Sequence, residues 1–519
     1  MNKSIYILFL GILVSMSSCR KDFDTVPSSG KLTFSKQTVY LDTVFTDIGS
    51  STYTLKVFNR SNKDITIPKI KLAKPDSKYR ITVDGMTGDT GNQGKVFSNV
   101  ELLAKDSLYI FIETTVNIAE ANPTDFLYTD EIEFDSGSNL QKVNLVTLIQ
   151  DAIFLYPEKY TDGSKEELIL GTGTDGKVYT VTGFELDEND PIHGNELIFT
   201  KNKPYVIYGF AGVPNGKTLT IDSGAKVHFH AESGILVQPG GSLNVAGTPS
   251  TYDAEGKVVI NNEVTFEGDR LEPSFEDTPG QWFAVWLQQG SVNNTIEHLT
   301  LKNATIGILA ENCPLSINNS QIYNSSNIGI LGREATVSGT NLVINNSGQA
   351  CFAGSQGGNY DFTHCTFNNN WNSTEQVAVS LENYYLDKNN NPVTFNLVKA
   401  DFKNCIIYGS NNVEMTLYKN DSTQFFFSFN HCLIKFNDFG TSLVDDENYI
   451  SIREGNKLGN YINEDPLFYK PNKNKLYINE DSFATKKGYN LGLSVDVLGK
   501  PRTSNPPDLG AYQSAAFPQ

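Results

Sequence analysis

Between Leu299 and Ile434 the chain returns to one short hydrophobic pattern at nearly regular intervals, and few architectures permit that. Leu299-x-Leu301-x-Asn303 recurs as Ser320-x-Ile322-x-Asn324, as Asn341-x-Val343-x-Asn345 and as Cys365-x-Phe367-x-Asn369. It continues without the asparagine as Cys405-x-Ile407 and Cys432-x-Ile434. The apolar marker advances by 21, 21 and 24 residues, then by 40 and 27. The long step implies either one missed coil or an insertion around Tyr384 to Pro392. A second marker, Gly307-Ile308, Gly329-Ile330 and Ala350-Cys351, recurs at 22 and 21.

A period of this length with short alternating strands suits one coil of a parallel β-helix, whereas helical repeats need a 3.6-residue pattern that is absent. Coils stack at the strand spacing of about 4.8 Å, so equivalent residues form columns. Leu301, Ile322, Val343, Phe367, Ile407 and Ile434 are expected to form one inward column. Asn303, Asn324, Asn345 and Asn369 are expected to form a turn ladder, because asparagine tolerates left-handed backbone and can bond its own copy in the next coil. Cys365, Cys405 and Cys432 share one repeat position and read as stacked, buried small hydrophobes.

The flanks divide the rest. Residues 1–18 have a positive start and a short apolar run, and Met16-Ser17-Ser18-Cys19 resembles a bacterial lipobox. That resemblance implies lipidation of Cys19, with 19–30 as a tether. Residues 31–152 show period-two alternation, as in Leu108/Ile110/Ile112 and Val143/Leu145, and read as an immunoglobulin-like β-sandwich. Residues 153–203 read as a connector and N-terminal cap, 204–464 as the parallel β-helix, and 465–519 as a C-terminal cap. The segments Gly234-Ile235-Leu236-Val237, Gly240-Gly241-Ser242-Leu243 and Pro279-Gly280-Gln281-Trp282, with the tail Asp508-Leu509-Gly510-Ala511-Tyr512-Gln513, resemble right-handed parallel β-helix lipoproteins of Bacteroidota, in the pectin-lyase-like superfamily. The fold class expected is therefore all-β, a sandwich followed by a right-handed β-helix. The resemblance implies an outer-membrane, lipid-anchored location, surface-exposed or periplasmic, and a carbohydrate-facing role.

Acidic residues outnumber basic ones, 59 to 41, for a formal charge of −18. That argues against nucleic acid as a partner, since phosphate binding needs a basic face. β-Helix enzymes that cleave acidic glycans need a Lys or Arg base, often with Ca²⁺, or a close set of acids. No such motif is found. The charged residues that stacking could gather on one face are Asp361, His364, Asp401 and Lys403, near Lys399. Their preferred reading is the outward, polar half of alternating strands. The six histidines show no zinc spacing, so no metal or cofactor is expected, Ca²⁺ entering only if the protein is a lyase. Trp371, Tyr384 and Tyr385 are the aromatic candidates for stacking on a ligand. The function these features favour is binding of polysaccharide or a surface partner without catalysis. A polysaccharide lyase or glycoside hydrolase is the first alternative, and an adhesion or structural envelope protein the second.

Overall fold

Asparagines close the coils, and their backbone shows why. In the computed structural model Asn303, Asn324 and Asn346 hold left-handed φ angles of 64°, 56° and 56°, a region asparagine enters at little cost. The structure describes residues 24–121, 126–173, 176–252, 258–438, 443, 445–453 and 458–517. The signal segment and Cys19 lie outside them. Among the described residues no helix is long and apolar enough to cross a membrane.

The chain divides between Asp151 and Ala152 into two compact units. In the first, a six-stranded and a four-stranded sheet share one core. Leu55, Val57, Leu108, Ile110 and Ile112 enter it from one sheet, and Ile132, Phe134, Val143 and Leu145 from the other. The expected tether is shorter than the sequence suggested. Val26–Pro27 already pairs with Ile65 and Thr66, because its backbone completes that sheet's edge.

The second unit is built from long parallel sheets, as a β-helix requires. Its chain visits three sheets in rotation, of 11, 10 and 9 strands, here sheets 1, 2 and 3. One coil runs through Leu299–Lys302 in sheet 1, Ile306–Glu311 in sheet 2 and Pro314–Asn318 in sheet 3. The next repeats the circuit as Gln321–Ser325, Ile328–Arg333 and Thr336–Thr340. A continuous apolar core fills the space between them, including the ring cluster Phe352, Phe362, Phe367 and Phe402.

Register corrects several expectations. The inward column is Leu301, Ile322, Ile344, Phe367, Ile407 and Ile434, with Ile344 in place of Val343. Val343 faces outward and is buried by the C-terminal segment. The ladder likewise runs through Asn346 rather than Asn345, with Asn346 donating to Asn324 and Asn324 to Asn303, each at 3.3 Å. Gly329 aligns with Cys351, so the second marker repeats at 22 throughout: a Cβ on Gly329 would meet the Cys351 carbonyl at 2.5 Å. Phe367 pairs directly with Ile407, so the 40-residue step is an insertion within one coil. It includes an antiparallel hairpin, Tyr384–Leu386 with Pro392–Thr394.

The segment expected as a connector supplies the first coil. Ile153–Leu155, Val178–Glu185 and Ile198–Phe199 pair in parallel with the following coil, and Glu167–Thr172 adds an antiparallel edge. The segment expected as an end cap lies instead along the outer face of sheet 1. There Leu476, Ile478, Val497, Leu509, Ala511 and Tyr512 pack on Tyr323, Val343, Ile406 and Leu433. This strap is clamped by Asp508, whose carboxylate accepts from Lys486 N, Ser514 N, Ser504 Oγ and Gln513 Nε2.

A second turn column lies between sheets 3 and 1. His298, Asn319, Asn341, His364, Asn404 and His431 all hold positive φ, between 47° and 53°, at one repeat position. Histidine shares asparagine's tolerance of this region. The strap is tied to this column: Arg502 Nη2 donates to Asn341 Oδ1 at 2.9 Å, and Asn404 exchanges bonds with the Tyr489 backbone.

Candidate functional site

Asp361, Asp401 and Lys403 do meet, together with Lys399, on the outer face of sheet 3. Lys399 bonds Asp361, Lys403 Nζ lies 2.9 Å from Asp361 Oδ1, and Lys399 Nζ lies 3.6 Å from Asp401. Ser428 Oγ donates to Asp401 at 2.7 Å. Burial alone would raise the Asp361 carboxyl, but its bonds to Lys399 and Lys403 overcome that and hold its pKa below the usual value. The Asp361 bond in turn raises the pKa of Lys399. Both shifts lock the charged forms, the reverse of what a lysine base or a carboxylic acid donor needs. The group therefore reads as a neutralised ion-pair network of adjacent rungs.

His364 is not part of it. It belongs to the second turn column, buried beneath the strap, where burial first and the Arg502 charge second push its pKa down to about 3. Among the other histidines, His228 is buried against Glu267, and exposed His230 pairs with Asp269 at 2.8 Å. Asp190, His193 and Glu196, which show no zinc spacing along the chain, bring their ligand atoms within 4.8 Å of one another. Their polar atoms staple one loop: Asp190 accepts from the Ile192 and His193 backbones, and His193 Nδ1 meets Glu196 at 2.9 Å.

The two tyrosines of the insertion stay on its hairpin, where Tyr385 stacks on Phe395 with centroids 5.8 Å apart. Trp371 is placed differently. It lines a cavity of about 530 Å³ together with Asn324, Asn346, Asn370 and Asn372, with Asp277 and Pro279 on one side and Asn472, Lys473 and Asn474 on the other. Three parts of the sequence build this site. The first turn ladder supplies Asn324 and Asn346. The strap supplies Asn474, which turns through φ 56° and donates to Asn324 Oδ1 at 3.3 Å, while Asn345 donates to Asn474 Oδ1 at 2.8 Å. The inserted loop supplies Trp371, positioned by Asn369. That fully buried amide, expected in the ladder, turns inward instead. It donates to the Ser347 and Val377 carbonyls and accepts from the Ser347 and Trp371 amides.

Trp371 is half-buried, and amides dominate the walls around it. The Lys473–Asp277 pair at 3.6 Å is exposed and mutually neutralising. Two buried polar atoms of lining residues, Asn346 Oδ1 and Asn370 Nδ2, have no hydrogen-bond partner among the described residues. A flat aromatic ring surrounded by side chains that both donate and accept suits a ligand with an apolar face and many hydroxyls.

A groove of about 440 Å³ runs along the outer face of sheet 2. Ile328, Leu331, Ala350, Ala353 and Val377 form its floor, and Arg333, Ser355, Glu382 and Tyr418 follow one edge. Arg333 pairs with Glu311 at 2.9 Å, and burial raises the pKa of Glu382.

No protein-family model matches the chain, and no curated protein matches it. Among solved structures, a PapD-like domain of human CEP192 is 13% identical, with 24% of this chain and 90% of that one covered and a TM-score of 0.16. A family 123 glycoside hydrolase from Clostridium perfringens, described in terms of glycolipid glycan hydrolysis, is 6% identical, with 24% and 30% covered and a TM-score of 0.17. Likenesses at these scores carry no argument about this chain.

Proposed function

We propose that this chain is a lipid-anchored cell-envelope protein whose β-helix binds polysaccharide without cleaving it. In this reading the β-helix is right-handed and pectin-lyase-like, Cys19 carries the lipid in an outer membrane, and the N-terminal unit is an immunoglobulin-like spacer. The observation that carries the binding role is the cavity in which Trp371 faces the asparagines of the turn ladder and the strap. The locked charge states of Asp361 and Lys399 favour binding over lyase or hydrolase chemistry at the best acid–base cluster the sequence offered.

The test is a polysaccharide array probed with the full-length chain in detergent, with and without Ca²⁺, while new reducing ends and unsaturated products are followed. Retention without products, abolished by Trp371→Ala, is the expected result. Product formation would establish the enzymatic alternative. Failure to retain any polysaccharide would shift the function to adhesion or envelope architecture. Metabolic labelling with a fatty acid, lost in Cys19→Ala, tests the anchor.

A further inference from the structure

We infer that the groove on sheet 2 is a second subsite for the same ligand, so that one neutral glycan chain lies across the loop 370–376, from the Trp371 cavity into the groove. This inference rests on the polysaccharide-binding reading. The two hollows share that loop as a wall: Asn370, Trp371 and Asn372 line the cavity, and Glu375 lines the groove, just before Val377 on its floor. The loop is tied down rather than hinged. Gln376 is buried, accepts from Ser373 N at 2.9 Å and donates to Ser410 Oγ at 2.8 Å, and Asn411 donates to the Gln376 carbonyl at 2.6 Å. A ligand that occupies both hollows therefore passes over a fixed ridge.

The shape of the groove follows from the register. Along one outward column Ile306 and Ile328 are followed by Ala350, and along the next Leu309 and Leu331 are followed by Ala353. Two short side chains after longer ones make the floor dip. The dip is apolar and broad, suited to the C–H face of a sugar ring. Along one edge Arg333, Ser355, Glu382 and Tyr418 occupy successive rungs, about 4.8 Å apart, and offer hydroxyl partners at a spacing close to the length of one sugar unit.

Charge selects the class of glycan. The groove brings Glu375 and Glu382 against a single cation, Arg333, which Glu311 already pairs. The cavity offers Lys473 and Asp277, which cancel. A uronic-acid polymer would bring further negative charge to a chain whose net charge is −18. A neutral polymer brings none.

The experiment titrates the full-length chain with size-graded oligosaccharides from laminarin, xylan and galactomannan, with alginate and polygalacturonate as acidic comparators. Affinity is expected to rise about tenfold once the oligosaccharide is long enough to cross the loop, a gain of one decade in Kd. Ala353→Trp, which fills the dip, and Arg333→Ala, which strips the edge, should each remove that gain and leave the shortest binder unchanged. Trp371→Ala should weaken short and long ligands alike. Length-independent affinity, or long ligands indifferent to both groove variants, overturns the subsite while leaving the binding function intact. Tighter binding of the acidic polymers overturns the neutral-glycan assignment. Loss of all binding in the unmodified chain overturns both readings.

Discussion

The side-chain amide of Asn404 lies 2.9 Å from Nε2 of His364 in the coil before it. Asn404 Oδ1 accepts from Tyr489 N, which fixes its Nδ2 as the donor toward the ring and leaves His364 Nε2 unprotonated.

Acid should therefore release the strap. Burial, then the Arg502 charge, lowers the His364 pKa from 6.5 to about 3. Between those values the unfolded chain takes up a proton that the folded chain refuses. The stability His364 contributes is thus complete above pH 6.5 and is lost as pH falls toward 3. His364→Asn places in this turn the residue that Asn319, Asn341 and Asn404 already use there. Limited proteolysis of residues 465–517 should show the variant resisting cleavage to a lower pH than the native chain, with no difference at mildly alkaline pH. Identical acid profiles would refute this account.

Glu414 should act with the opposite sign. It is fully buried, its Oε1 accepts from Asn411 N at 2.7 Å, and burial raises its pKa from 4.5 to about 8. The unfolded chain loses this proton near pH 4.5, whereas the folded chain keeps it to about pH 8. Its contribution is full below 4.5 and is lost as pH rises through that window, on the order of a few kcal/mol in total. Glu414→Gln keeps the bond to Asn411 and removes the titration. Thermal melts should find the variant more stable than the native chain at alkaline pH and similar to it near pH 4.5. A native chain with no decline across this range would exclude the mechanism.

Asp508 holds the strap through its carboxylate. Asp508→Asn is isosteric but turns one acceptor into a donor facing donors, at a cost of about 2–4 kcal/mol. Hydrogen exchange should quicken across 465–517 while the strands between Leu299 and Thr340 keep their protection. Glycan binding should weaken in step, because Asn474 would lose its place beside Asn324. Uniform protection with weakened binding would separate the strap from the site.

The repeat was readable because inward hydrophobes recur once per coil. The reading slipped by one at Val343-Ile344, where both residues are apolar. Ile344 faces the core and Val343 faces the strap, so the alternation that marks a half-exposed strand is missing there. The insertion was visible as an irregular step around Tyr384 to Pro392, and Trp371 only as a separate candidate aromatic outside those bounds. The rest of the cavity was not visible. Asn345 meets Pro471 and Asn474 across more than a hundred residues, and no local pattern records that contact. The histidines show a different limit. Spacing along the chain asks whether neighbours share a metal, whereas His298, His364 and His431 are related only across coils, by a shared turn.

The strap also sets an order in time. Each coil of the β-helix can stack on its predecessor as it leaves the ribosome, but the cavity beside Trp371 needs Asn472, Lys473 and Asn474, which are translated after the last coil strand. A nascent chain that has stacked all its rungs still lacks that wall of the cavity. The cavity is therefore walled on both sides only once residue 474 has been made, and a chain arrested or clipped before it keeps the rungs and lacks that wall.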